Sequence, residues 1–380
     1  SAGMAEFDPL EFCMPGVRQL RPYEPGKPIS ELQRELGIQD VIKLASNENP
    51  LGTSPKALAA MRTALGDTAL YPDGNAFTLR RTLAAHHGRD VSHVLVATGS
   101  DHILEMTARA FLGPGRSAVI SRYGFAVYQI VSQGASAEVR VVDALPPEHP
   151  SQPYGHDLEK MAAAVSADTR VVFIANPNNP TGTWLGLRDI SGFLERVPPD
   201  CLVLIDEAYH EFARDLEPRY PDCTELLPRF PNLIVMRTFS KAYGLAGARV
   251  GYALAHPKLT ELLNRVRLAF NPGSLGQAGA AAALGDHEHI KKTLELNRVE
   301  IKKLDAGLRA LGLKTIPSIC NFVTADMGRP GKQVFQALLK RGVIVRPLDA
   351  YGLPNHLRIS VGLAEQNQRL LDSLKQVLKA

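Results

Sequence analysis

Short apolar segments alternate with helical stretches through the middle of the chain. Between about residues 94 and 255 the apolar segments are VLVATG, SAVIS, EVRVVD, VVFIANP, LVLIDEAY, LIVMRTFS and VGYALA. Their length and β-branched content predict strands that are buried on both faces. Segments between them, such as HDLEKMAAAVS, suit crossover helices. The pattern therefore predicts an α/β fold with a mostly parallel sheet.

The pattern changes in the last third of the chain. HPKLTELLNRVRLAF and residues 286–311 are typical of long helices, and NFVTAD, VIVRPL and LRISVG then alternate with further helices. We expect a large domain over residues 54–270 and a small domain over residues 271–380. Residues 1–53 are predicted to be an N-terminal arm that joins the small domain. Its first three residues, Ser1 to Gly3, have the character of a cloning remnant.

Composition narrows the class of protein. With 380 residues, 45% hydrophobic residues and a net charge of +4, the chain is long enough for a two-domain globular enzyme. No Lys/Arg run favours nucleic acid as a partner, and no apolar stretch is long enough to predict a membrane span. The four cysteines are far apart without a CxxC pair, which favours free thiols, a cytoplasmic location and no metal site.

Polar side chains follow several predicted strands directly. Ligands of open α/β sheets bind at the carboxyl ends of the strands, so these side chains are candidates for one site. The predicted helix start in VATGSDH suits an anion. Taken singly, each motif is also compatible with an ordinary turn or helix cap. The candidates are Gly99, Ser100, Asp101, Asn176, Asn178, Asn179, Asp206, Tyr209 and Lys241.

Two further features concern charge. In TFSKAYGLAGARVG, Lys241 stands between hydroxyl and small residues, and the run ends in Arg249. This pattern suits either a helix start capped by Ser240 or a close turn of the chain under a flat, phosphorylated ligand. Arg346 and Arg358 lie in predicted strands of the small domain. Arginines in such strands are either structural or form a planar clamp for a phosphate or carboxylate.

In this order, NPNNPTG, DEAY and SKAYGLAGARVG resemble the motifs of the fold type I pyridoxal-phosphate (PLP) aminotransferases. LASNENPLG, YPDGNAFTLRRTLA, ATGSDHILEM and LRISVG make the chain similar to the histidinol-phosphate aminotransferase branch in particular. The resemblance extends from about residue 18 to the C-terminus. It implies a large PLP-binding domain with a seven-stranded, mostly parallel sheet flanked by helices, and a smaller α+β domain.

The resemblance also implies roles for the cofactor residues. Lys241 would hold PLP as a Schiff base and move protons, and Asp206 would face the pyridine nitrogen. Asn179 and Tyr209 would contact the phenolic oxygen, and Phe125 would rest on one ring face. The phosphate ligands would be Gly99, Ser100, Asp101, Thr238, Ser240, Arg249 and, from the neighbouring subunit of a homodimer, Tyr71.

The substrate side would consist of Tyr23, Asn49, Arg346 and Arg358. The implied reaction is ping-pong transamination of L-histidinol phosphate with 2-oxoglutarate in histidine biosynthesis. The alternatives are an aromatic or dual-specificity aminotransferase and, less favoured, a phosphothreonine decarboxylase. A non-enzymatic sensor of this fold would carry a DNA-binding extension, for which we expect no room in the short proline-rich arm. A plain binding module would not need the amine of Lys241.

Overall fold

A computed structural model describes residues 6–380 of the chain. The cloning remnant predicted at Ser1 to Gly3 lies outside the described residues. Within residues 6–380, no helix combines the length and the apolar character needed to cross a membrane.

Thirteen α-helices are present in the described part of the chain. They are α1 Ile29–Leu36, α2 Pro55–Ala64, α3 Phe77–His87, α4 Ser100–Phe111, α5 Ala126–Gly134, α6 Leu158–Ala164, α7 Leu187–Arg196, α8 His210–Leu216, α9 Pro257–Asn264, α10 Ser274–Leu284, α11 His287–Ala310, α12 Gly331–Lys340 and α13 Ala364–Lys379. The helix predicted in HPKLTELLNRVRLAF is shorter than expected, because it ends at Asn264.

The same residues contain thirteen strands. They are β1 Ile42–Lys43, β2 Val94–Ala97, β3 Ser117–Ser121, β4 Glu138–Val142, β5 Thr169–Ala175, β6 Leu202–Asp206, β7 Leu233–Thr238, β8 Gly251–Ala255, β9 Lys314–Thr315, β10 Phe322–Asp326, β11 Val343–Ile344, β12 Arg346–Pro347 and β13 His356–Ser360. All seven strands predicted between residues 94 and 255 are confirmed.

Strands β2 to β8 form one seven-stranded sheet in the order β2-β8-β7-β6-β5-β3-β4. Only β8 runs antiparallel to its neighbours, and the pairs β7-β6, β6-β5, β5-β3 and β3-β4 are parallel. Helices pack on both faces, where the central strands are fully buried. This burial explains why these strands are continuous apolar runs rather than alternating ones.

The smaller sheet has the order β12-β13-β10-β9, and its pairs are antiparallel. It packs with α11, α12 and α13 around a separate apolar cluster. Strand β1 from the N-terminal arm pairs with β11, and Ile42 and Leu44 belong to the same cluster. Farther upstream, Gly16 donates a hydrogen bond to Ser136 beside α5 of the large sheet. The N-terminal arm thus contacts both the apolar cluster of the small sheet and the region beside α5. The domain boundaries given above stay a prediction.

Candidate active site

The topology of the large sheet brings several carboxyl strand ends to one edge. The parallel neighbours β5, β6 and β7 end at Ala175, Asp206 and Thr238. A cleft of about 670 Å³ lies at this edge and reaches the small sheet. The predicted site residues that line it are Tyr23, Ser100, Asp101, Phe125, Asn179, Asp206, Tyr209, Thr238, Ser240, Lys241, Arg249, Arg346 and Arg358.

Lys241 lies in the loop that joins β7 to β8. Its Nζ donates a hydrogen bond of 3.0 Å to the backbone oxygen of Ser46 and lies 5.9 Å from the ring centre of Tyr209. Burial, with a smaller contribution from Arg358, lowers the pKa of the Lys241 ammonium to about 8. Because the amine is the nucleophilic form, this environment favours a reactive lysine at mildly alkaline pH.

Asp206 ends β6 on the floor of the cleft. One carboxyl oxygen accepts a hydrogen bond of 2.6 Å from the hydroxyl of Tyr128, and the other accepts from the backbone N–H of Ala208 at 3.1 Å. Burial raises the pKa of the Asp206 carboxyl to about 6, although both hydrogen bonds act to lower it. A cationic partner in the cleft would therefore stabilise the ionised form of Asp206.

Asn179 connects the cleft to the small sheet. Arg358 donates from Nη1 to Asn179 Oδ1 at 2.6 Å and from Nη2 to the backbone oxygen of Ala45 at 2.7 Å. Because its oxygen accepts from the guanidinium, the amide nitrogen of Asn179 is left as the group that can donate to a ligand. The two neighbouring asparagines do not line the cleft: Asn176 bonds the backbone of Leu185, and Asn178 bonds that of Tyr123.

One end of the cleft is suited to an anion. Helix α4 begins there at Ser100, and its free backbone N–H groups and dipole favour negative charge. Arg249 has a left-handed backbone with φ of 56° and lies 2.9 Å from a carboxylate oxygen of Asp101. Its guanidinium passes in front of Gly99, where a Cβ would come within 2.6 Å of Arg249 Nη2. Gly99 caps the helix without lining the cleft itself.

Two buried arginines of the small sheet also line the cleft. Arg346 in β12 and Arg358 in β13 are directly opposite in the antiparallel pairing, so their side chains share a face of the small sheet. The guanidinium of Arg346 lies 5.4 Å from the ring centre of Tyr23, a cation–π contact. Within residues 6–380, neither arginine forms an ion pair with a carboxylate.

Of three further predicted residues, Phe125 lines the cleft, and Asn49 and Tyr71 do not. Phe125 lines the cleft, and its ring makes an edge contact with Tyr23 at 5.9 Å. Asn49 does not line the cleft, because its amide donates to Ala242 O and Thr293 Oγ1. Tyr71 is outside the cleft of its own chain; its side chain is 79% exposed and stacks on Phe270.

Ala246, one of the small residues after Lys241, lines the cleft, whereas Gly244 is small for a reason within the chain itself. Gly244 has φ of 68°, and a Cβ there would lie 2.4 Å from the backbone oxygen of Gly52. No neighbouring group would obstruct a Cβ at Gly247. The close approach at Gly244 is therefore between two backbone segments of this chain, and the interpretation that the loop is small to pass under a ligand is not needed there.

Sequence reasoning missed three contacts around the site. The first is the hydroxyl of Tyr128 on Asp206. The second is the amide of Asn47, which contacts Tyr209. The third is Arg237, which is buried and pairs with Glu207 at 3.0 Å and with Asp222 at 2.9 Å, directly behind the ends of β6 and β7. The only signals in the sequence were an arginine inside an apolar strand and a tyrosine three residues after Phe125.

The fold and this set of side chains define a class of enzyme that a comparison with known families confirms. The chain belongs to the class I and II aminotransferases, whose family model matches residues 39–374.

Within that family, the sequence is similar over nearly its full length to histidinol-phosphate aminotransferases. It is 51% identical to histidinol-phosphate aminotransferase 2 of Pseudomonas fluorescens strain Pf0-1, over 97% of this chain and 98% of that protein. It is 52% identical to the Methylococcus capsulatus protein of the same name, over 96% of this chain and 98% of that protein.

The comparison with solved structures leads to the same family. The histidinol-phosphate aminotransferase of Sinorhizobium meliloti, determined in complex with pyridoxal-5'-phosphate, superposes with a TM-score of 0.87 at 28% identity and covers 99% of both chains. An aspartate aminotransferase of Thermus thermophilus gives a TM-score of 0.82 at 22% identity, with 96% of this chain and 99% of that chain covered. The second likeness concerns the fold alone.

Proposed function

We propose that this chain catalyses PLP-dependent transamination between L-histidinol phosphate and 2-oxoglutarate, a step of histidine biosynthesis. The observation that carries the substrate assignment is the pair Arg346 and Arg358. Both are buried and lack a carboxylate partner in the described residues, so the part of the cleft that they line presents unpaired positive charge. Buried charge is costly unless it is paired, and a doubly charged phosphate can engage two guanidinium groups. The family and the named relatives support the same assignment.

The residues present fit pyridoxal phosphate. A half-buried amine, a buried carboxyl and an amide donor lie in one cleft with a helix N-terminus and Arg249. When bound, PLP supplies the electron sink that stabilises negative charge at the substrate's α-carbon. In this proposal Lys241 holds the cofactor covalently, while Ser100, Thr238, Ser240 and Arg249 surround its phosphate.

Each remaining side chain then has a defined task. Ionised Asp206, held by Tyr128, keeps a proton on the pyridine nitrogen, because opposite charges in a buried site stabilise each other. Asn179 and Tyr209 donate to the phenolic oxygen. The amine of Lys241, once free, carries the proton to and from the α-carbon, and its lowered pKa suits general base work near neutral pH. Phe125 and Tyr23 exclude water from the faces of the reactants.

A half-reaction distinguishes the candidate activities. The PLP-loaded protein is mixed, without a keto acid, with histidinol phosphate, phenylalanine or phosphothreonine, and the absorbance of the bound cofactor is followed. Rapid loss of the lysine-bound form with histidinol phosphate alone supports the proposal. Comparable rates with phenylalanine indicate an aromatic or dual-specificity enzyme. Release of carbon dioxide from phosphothreonine, with the starting spectrum restored, indicates a decarboxylase.

We further propose that the active unit is a cytoplasmic homodimer in which Tyr71 contacts the cofactor phosphate of the partner. Tyr71 and Phe270 form a stacked, exposed aromatic pair, and further exposed apolar side chains lie near the two residues along the chain. Exposed apolar patches mark interfaces. The additional exposed side chains are Leu65, Leu70, Phe77 and Leu268. All four cysteines are free thiols, which fits a reducing compartment.

Subunit complementation tests the shared site. Lys241→Ala and Tyr71→Ala variants are each prepared alone and then unfolded and refolded together in equal amounts. If Tyr71 serves the partner, each mixed dimer has one intact site and one doubly altered site, and about a quarter of all sites are active. Activity that stays at the sum of the separate variants would contradict the sharing of Tyr71.

A further inference from the structure

Asn47 occupies an unusual place between the two sheets. It is 1% exposed and has a left-handed backbone with φ of 56°, a conformation that asparagine tolerates better than most residues. Its backbone N–H donates to Ser360 Oγ at 2.9 Å, and its carbonyl accepts from Asn321 Nδ2 at 2.9 Å. The backbone of Asn47 is thus fixed by two residues of the small sheet and its flank.

The side chain of Asn47 joins Ser360 to Tyr209. Ser360 Oγ lies 2.6 Å from Asn47 Oδ1, and Asn47 Nδ2 lies 2.8 Å from the hydroxyl oxygen of Tyr209. Ser360 is fully enclosed by the chain, so its hydrogen needs an acceptor within the protein, and Asn47 Oδ1 is the acceptor in reach. The amide oxygen therefore faces Ser360, and the amide nitrogen faces Tyr209.

This orientation determines the direction of the Tyr209 hydrogen. A phenol has one hydrogen, and its oxygen already accepts from Asn47. Within the described residues, no acceptor lies in hydrogen-bonding distance of the Tyr209 O–H, while Tyr209 lines the cleft. The charged and titratable groups that face Tyr209 are Lys241, Arg358, Asp206, Cys320 and Tyr128. None of these groups accepts a hydrogen bond from the Tyr209 hydroxyl, so a ligand in the cleft has to supply the acceptor.

We propose that Asn47 is a positioning residue whose amide makes Tyr209 an obligatory hydrogen-bond donor into the cleft. The inference rests on the proposed function, in which Tyr209 donates to the phenolic oxygen of PLP. A donor at that oxygen stabilises its negative charge and so favours loss of the proton from the nitrogen that links Lys241 to the cofactor. Asn47 thereby tunes the protonation of the cofactor through the Tyr209 hydroxyl.

Asn47→Asp is the sharpest test, because it keeps the shape of the side chain and presents an acceptor where the amide nitrogen was. Tyr209 then donates to residue 47 and no longer to the cleft. We expect the pH midpoint of the absorbance change of lysine-bound PLP to rise by about one unit, a tenfold change in the protonation equilibrium. Asn47→Gly, which tolerates the left-handed backbone, is expected to shift the midpoint in the same direction by a smaller amount.

A Tyr209→Phe background separates this role from general effects of charge or packing. If Asn47 acts through the Tyr209 hydroxyl, the shift caused by Asn47→Gly disappears in that background, and the shift caused by Asn47→Asp falls to the part that its charge alone produces. Asn321→Ala is the matched control, because it loosens the same backbone segment without touching Tyr209. Its midpoint is expected to equal that of the wild type.

The outcomes distinguish the inference from the function on which it rests. A wild-type protein that shows no PLP-dependent absorbance would overturn the proposed function. A wild-type protein that titrates normally, with Asn47 variants that share its midpoint, would overturn the role of Asn47 alone. Equal shifts in the presence and absence of the Tyr209 hydroxyl, or an equal shift from Asn321→Ala, would overturn it as well.

Discussion

The hydrogen bond from Tyr128 to Asp206 makes a prediction about the stability of the cofactor-free protein. Tyr128 is buried, and its hydroxyl lies 2.6 Å from the carboxylate. A hydrogen bond to a charged group contributes about 1.5–3 kcal/mol, against about 0.5–1.5 kcal/mol for a neutral pair. Tyr128→Phe should therefore reduce the free energy of unfolding more when Asp206 is ionised than when it is protonated.

The sign of the pH dependence follows from the pKa of Asp206, which burial raises from 3.8 to about 6 in the folded protein. Between these values the folded state binds more protons than the unfolded state, so the contribution of Asp206 to stability falls as pH rises through the window. In Tyr128→Phe the carboxyl loses a donor, and its pKa should rise by about one further unit. The destabilisation should grow from about 1 kcal/mol at low pH to about 2–3 kcal/mol once Asp206 is ionised in both proteins.

Urea unfolding of the cofactor-free proteins at a series of pH values between 5 and 8 measures this difference. The fluorescence of Trp184, the single tryptophan of the chain, reports on the region that follows β5 of the large sheet. Tyr252→Phe is the matched control, and its hydroxyl lies 3.0 Å from His87 Nε2. Burial lowers the pKa of His87 to about 3, so His87 stays neutral over the whole range, while the nearby Arg237 stays charged; neither neighbour changes its charge. A Tyr128→Phe destabilisation that does not change with pH would refute the reasoning.

Four further predictions concern the same site and its support. Lys241→Ala should abolish both the absorbance of bound PLP and turnover, and residual turnover would contradict its assignment. The rate at which the cofactor-free protein takes up PLP should rise with pH around a midpoint of about 8, as the amine of Lys241 loses its proton; a flat profile from pH 6 to 9 would contradict this. Arg346→Gln or Arg358→Gln should raise KM for histidinol phosphate about tenfold or more and affect phenylalanine less, and an unchanged KM removes that residue from the clamp. Arg237→Ala leaves Glu207 buried without its partner and should lower stability by about 3–5 kcal/mol in urea unfolding, so a near-neutral change would contradict the importance of this pair.

The sequence predicted the large sheet well because its strands are buried on both faces. Continuous β-branched runs such as VVFIA have few alternatives in a protein of this size, and each was confirmed as a strand. The end of the helix that begins at Pro257 was harder to predict. Its apolar periodicity continues beyond Asn264, but a tight turn ends the helix there and the following residues form a loop.

The side chains at strand ends were predictable because parallel strands bring their carboxyl ends together. What could not be predicted was which polar group of a motif faces the cleft. Asn176 and Asn179 stand in one short loop, yet the first bonds the backbone of Leu185 and the second lines the cleft. Asn49 looked equally available, but Thr293, far away in the sequence, accepts from its amide. Such choices depend on contacts between distant segments, which local patterns do not encode.

The cleft is held together by hydrogen bonds that join the two sheets through the segment after β1. Arg358 binds Asn179 and Ala45 O, and Asn47 links Ser360 to Tyr209. Groups assigned to the substrate therefore contact groups assigned to the cofactor directly. Arg358 has five N–H donors, of which Asn179 and Ala45 take two, so an anion bound by the remaining donors would share the guanidinium with Asn179. Substrate binding and the hydrogen bonding of the cofactor oxygen are thus expected to be coupled through the side chains of this one chain.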